Sequence, residues 1–66
     1  MDPEENYRQQ VELAGRIARE GDSESPNKEK LAEWGEELSG LVIALNEWVS
    51  RGGFVPRVFE RKEGTE

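Results

Sequence analysis

Leu31, Trp34, Leu38, Leu41, Leu45 and Trp48 recur at alternating steps of three and four, the spacing that keeps apolar side chains in one line along a helix. The line lies in KEKLAEWGEELSGLVIALNEWVSRGG and predicts one long amphipathic helix over about residues 27–51, closed by Gly52 and Gly53. Val42 and Val49 widen it. A chain of 66 residues with 33% apolar side chains folds as one small domain with a modest core. Scaffolds of this size usually add a disulfide, a metal or a partner chain, and this chain has no cysteine and no histidine. Association is the remaining route, so Leu31, Trp34, Leu38, Leu41 and Leu45 are the expected seam of a homo-oligomer. The same absences exclude zinc fingers, thiol chemistry, cysteine nucleophiles and histidine general bases. No catalytic residue, metal ligand or cofactor is expected.

The longest apolar run, Leu41 to Leu45, falls far short of the roughly 20 residues that cross a bilayer. The opening MDPEEN has neither the positive flank nor the apolar stretch of a secretion signal, so a cytoplasmic location is expected. A net charge of −6 disfavours direct nucleic-acid binding and anionic membranes, both of which need an excess of Lys and Arg. The fitting partner is a protein with a basic surface.

Asp2, Pro3, Glu4 and Glu5 make a well-specified helix start: a capping acid, proline in the first turn, and acids at the positive end of the dipole. They predict a first helix over about residues 3–20, stopped by Gly21. On a projection at about 100° per residue, Tyr7, Val11, Leu13, Ala14, Ile17 and Ala18 share one arc, with Arg8, Glu12, Arg16 and Arg19 opposite. Glu12 and Arg16 are spaced as an i,i+4 ion pair. GDSESPN, residues 21–27, has turn chemistry throughout and predicts a loop between antiparallel helices, with Ser25 or Asn27 capping the second.

The second helix has two further sectors. Ala32, Gly35, Ser39, Asn46 and Ser50 surround Ile43, and small residues of this kind let another backbone approach closely. A second helix contact is expected there. Glu29, Glu33, Glu36, Glu37 and Glu47 form the other sector around Gly40; its like-charged i,i+4 pairs are unfavourable by a few tenths of a kcal/mol each, on the order of 0.3. Glu29, Glu33, Glu36 and Glu37 are the expected partner-facing acids, with a plain solvated face as the alternative.

After the glycine pair, FVPRVF alternates bulky apolar residues, and Pro56 bars a continued helix. An extended segment over 54–59 is expected to fold back toward Trp48 and Val49, ahead of a polar tail, residues 60–66. Trp48, Arg51, Gly52, Gly53, Phe54, Pro56 and Arg57 form the densest local constellation. One reading is a binding corner, with aromatics, guanidinium groups and backbone amides suited to a partner anchor or a planar anion. The other is a helix C-cap with a hydrophobic clasp, which accounts for the glycines and Phe54 but not for Arg57.

Lys30, Glu33, Glu36, Glu37 and Leu38 reproduce a K-x-x-E-x-x-E-E-L pattern that resembles the first metal-binding helix of the MazG-type nucleoside triphosphate pyrophosphohydrolases. That resemblance implies an all-α, Mg²⁺-dependent enzyme completed by E-x-x-D on the next helix, and the closing aspartate is missing: Glu47 is followed at that spacing by Ser50. Leu45, Glu47, Trp48, Gly52, Gly53, Phe54, Val55 and Pro56 are similar to the ending of short helical proteins of unassigned function from actinobacteria and their phages. This second resemblance implies a compact accessory protein that acts by binding, such as a phage-type inhibitor of a host protein in the host cytoplasm.

The chain therefore reads as an all-α, two-helix antiparallel hairpin with an extended C-terminal segment, self-associating into a helical bundle and acting as a small non-enzymatic protein-binding module. Two alternatives stand beside it: an oligomeric protein that sequesters a nucleotide-like anion at the Arg51–Arg57 corner, and a divergent pyrophosphohydrolase.

Overall fold

A computed structural model describes residues 1–60 of the chain. It is an antiparallel hairpin of two long helices, α1 (Pro3–Gly21) and α2 (Lys28–Ser50), followed by a single turn, α3 (Arg57–Glu60). Local chemistry sets each boundary. The Asp2 carboxylate accepts the backbone N–H groups of Glu4 at 3.0 Å and Glu5 at 3.2 Å, and Pro3 occupies the first turn. Asn27 caps α2 by accepting the N–H of Lys30 at 3.1 Å, while its own N–H is held by the Glu20 carboxylate at 2.7 Å. The last turn of α1 thus fixes the first of α2 across the loop.

The far end of α2 closes in a Schellman motif. The Gly52 N–H donates to the Val49 carbonyl at 3.0 Å and the Gly53 N–H to the Trp48 carbonyl at 2.9 Å, with Gly52 at φ +95°, a region an L side chain enters only at a cost.

The face of α1 that packs on α2 overlaps the expected arc only in part, at Leu13, Ile17 and the half-buried Tyr7. Pro3, Asn6 and Leu13 are buried and Gln10 and Ile17 half-buried, whereas Val11, Ala14 and Ala18 are exposed. The helix is rolled by about 50° at roughly 100° per residue, placing the 3-6-10-13-17 line inward. Asn6 explains the roll: its side-chain amide donates to the Leu41 carbonyl of α2 at 3.0 Å and its Oδ1 accepts from Gln10 at 2.7 Å. One buried polar group with a cross-helix partner fixes the register.

The apolar line of α2 is spent largely within the chain. Leu45 is buried, and Leu31, Trp34, Leu38, Leu41 and Trp48 are half-buried. The small-residue sector around Ile43, expected to touch another helix, touches none in the single chain: Ala32, Ser39, Ile43, Asn46 and Ser50 are exposed and Gly35 is half-buried. Val42 and Val49, expected within the seam, are 46% and 38% exposed.

The C-terminal segment also differs from expectation. Residues 53–56 belong to no regular element, and residues 57–60 turn into α3, where the Glu4 carboxylate accepts the Arg57 N–H at 2.5 Å and the Phe59 N–H reaches the Pro56 carbonyl at 2.9 Å. Of the expected polar tail, all but Glu60 lies outside the described residues.

Candidate interaction surface

The residues of the C-terminal corner are brought together, but largely to satisfy one another. The Trp48 indole N–H donates to the Phe54 carbonyl at 2.8 Å, and the two rings meet edge to face at 5.6 Å. A Cβ on Gly53 would lie 2.4–2.6 Å from three indole atoms, so the glycine is the space the indole occupies. Pro56 is fully buried, as is Pro3. Arg51 leans 3.8 Å from Glu47 on the surface. Arg57 is exposed, with its backbone N–H held by Glu4. Phe54 stands 63% exposed. The Gly52, Gly53 and Arg57 amides and the Trp48 indole are already engaged, which leaves a bound anion chiefly the Arg51 and Arg57 guanidinium groups.

Glu29, Glu33, Glu36 and Glu37 are all exposed and form no ion pair among the described residues. No three His, Cys, Asp or Glu side chains among the described residues stand close enough to hold a metal ion. No helix among them is long and apolar enough to cross a membrane.

Ion pairing on α1 centres on Arg8, which grips Glu5 and, at 2.6 Å, Glu12; the expected Glu12–Arg16 pair does not form, because Arg8 takes Glu12 from the preceding turn. Hydrogen bonds from Arg8 and then Gln9 hold the Glu5 carboxyl down to about 2 from its ordinary 4.5. A depressed carboxylate stabilises the fold at pH values above 4.5, and that contribution is lost as the pH falls toward 2. Both side chains are about half in water, so the effect on stability is small and weakened by salt. A carboxyl NMR titration is expected to give Glu5 a midpoint near 2, returning toward 4.5 in Arg8→Gln. A wild-type midpoint at 4.5 would show that Arg8 does not hold it.

The two broad sides of the hairpin differ in charge. In an antiparallel pair, stripes advanced in the same rotational sense from the line of contact fall on the same side. By that geometry, at about 100° per residue, Tyr7, Val11, Ala14 and Ala18 of α1 lie on one side with Gly35, Ser39, Val42, Ile43 and Val49 of α2. Glu5, Glu12, Arg16, Glu33 and Glu37 lie on the other. The uncharged side is furrowed and open. One groove of about 540 Å³ is lined by Gly35, Leu38, Ser39, Val42 and Ile43. A second, of about 270 Å³, continues it past Val42 to Gln10, Leu45, Val49, Val55 and Phe59. At the open end of the hairpin, Val58, Val11 and Tyr7 share a third groove with Asp2, Glu4, Glu5, Arg8 and Glu12, so the uncharged stretch ends there. Comparison with protein families, curated proteins and solved structures finds no match. The surface must be read from its own chemistry.

That chemistry is apolar surface without cover. Val11, Val42, Ile43, Val58 and Phe59 are 53%, 46%, 59%, 41% and 51% exposed, against a buried hydrophobic core of Leu13 and Leu45. Exposed apolar side chains gathered on one side in this way make that side the candidate interaction surface. Val58 and Phe59 were not expected in it; the one available signal was the apolar alternation of FVPRVF, which does not reveal that Phe59 would stack edge to face on Tyr7 at 5.1 Å.

Proposed function

We propose that this protein is a small non-enzymatic binding module that completes its fold by covering the uncharged side of the hairpin with another polypeptide. The observation that carries the reading is the imbalance between the two buried core leucines among the described residues and the exposed stretch that runs from Ile43 through Val42 to Phe59. Small domains with so little buried apolar area sit near the limit of stability, and burying the exposed side chains adds about 1.5–3 kcal/mol for each large one fully covered.

With that side closed, Glu29, Glu33, Glu36 and Glu37 still face water. They suit a protein with a basic surface, and inhibition of such a protein is the finer form of the proposal, in keeping with the phage-protein resemblance. Binding of that kind weakens with added salt and with charge reversal at Glu33 and Glu36. The anion-sequestering reading loses the Gly52, Gly53 and Trp48 donors, which are internally engaged, and keeps the guanidinium groups of Arg51 and Arg57.

The test is stability at dilution. Circular dichroism and fluorescence at nanomolar concentration are expected to find the isolated chain labile, with a low or vanishing melting transition. A chain that melts cooperatively at nanomolar concentration, at the same temperature as at high concentration, would sink the proposal.

A further inference from the structure

The proposed module leaves its partner open, and three observations identify that partner as a second copy. The hairpin is a single layer, 41 × 29 × 14 Å, whereas a domain core needs two packed layers of secondary structure. The broad side extends 41 × 29 Å, which leaves room for the roughly 800 Å² per partner of a standard interface. It also carries both halves of a self-fitting surface. Along one line of α2, Ser39 is flanked four residues away on either side by Gly35 and Ile43, each about 6 Å distant along the axis. Gly35 is a dip with nothing within 4 Å of an added Cβ. Ile43, 59% exposed, is a knob on the rim of the same groove.

We infer that two copies pair through this side about a two-fold axis passing near Ser39, crossing α2 on α2 in antiparallel fashion, so that Ile43 of each protomer fills the dip over Gly35 of the other. A two-fold interface is isologous: what residue 43 does to residue 35, residue 35 receives in return. The equal spacing on either side of Ser39 is compatible with this. Glu33 and Glu37 lie on the other side of α2 and are turned away from the second copy, while the exposed Glu36 and Glu47 flank the contact at its rim, where they stay in water. The inference rests on the proposed function, since it names the polypeptide that covers the open side.

The experiment is sedimentation equilibrium on the full chain and three variants. Gly35→Gln and Gly40→Gln make the same change, raising helix propensity at sites that are both open in the single chain, but Gly40 lies in the acidic sector. The wild type and Gly40→Gln are expected at twice the chain mass. Gly35→Gln is expected to keep its helicity and to associate at least tenfold more weakly. Because the chain has no cysteine, Ser39→Cys is expected to give a disulfide-linked dimer on mild oxidation, while Gly40→Cys stays uncrosslinked. Association of Gly35→Gln equal to wild type, or no cross-link through position 39, overturns the inference and leaves the proposed function standing. So does a chain that is labile and monomeric at every concentration. A stably folded wild-type monomer overturns both.

Discussion

Leu45→Ala is expected to lose about 2–5 kcal/mol of stability, the range for truncating a buried leucine. For a domain holding on the order of 0.05–0.15 kcal/mol per residue, that removes most of what keeps 66 residues folded. Leu45 is 7% exposed and Leu13 is 5%, so little in the hairpin can collapse to fill the space. Urea unfolding followed by helicity should show the midpoint falling to near zero denaturant. Leu13→Ala should behave alike, and Val11→Ala, on the open side, should cost far less in the single chain. A Leu45→Ala midpoint within error of wild type would mean that the apolar line of α2 is not the hairpin's core.

The second large effect lies at the end of α2. Gly53→Ala places a methyl group 2.4–2.6 Å from the Trp48 indole, so the ring must swing away and give up both its hydrogen bond to Phe54 and the edge-to-face contact. Overpacking of this kind costs about 1–3 kcal/mol. Gly52→Ala meets no steric neighbour and carries only the left-handed backbone penalty, about 1–2 kcal/mol. Fluorescence separates them: in a Trp34→Phe background, Gly53→Ala should shift Trp48 emission to the red, and Gly52→Ala should shift it less. Unchanged emission and melting in Gly53→Ala would refute the clasp.

Much of the hairpin was legible because its boundaries are written locally. Asp2 with Pro3, Asn27, and the Gly52–Gly53 pair each act on backbone groups within a turn of themselves, and local chemistry does not depend on what packs where. The roll of α1 was less accessible. Ranking its residues by hydrophobicity selects Val11, Ala14 and Ala18, yet Asn6 and Gln10 face inward, because the decisive interaction is a hydrogen bond to a carbonyl 35 residues away. A strict 3-4 register through Pro3, Asn6, Gln10, Leu13 and Ile17 carries that information, but only to a reader willing to place an amide in the core. The candidate surface was half legible: the small-residue sector around Ile43 stood out in the sequence, whereas Val58 and Phe59 join it through α3, whose start depends on Glu4 at the other end of the sequence.

The bond between Glu4 and the Arg57 backbone spans 53 positions, and it sets an order of assembly. Closing so long a loop becomes favourable only after the hairpin has drawn the two ends near each other. The α3 turn should therefore be last to lock and first to release, with its amides exchanging hydrogen ahead of those in α2. Each release would carry Phe59 away from Tyr7, so the width of the open side would breathe on a faster clock than the hairpin beneath it.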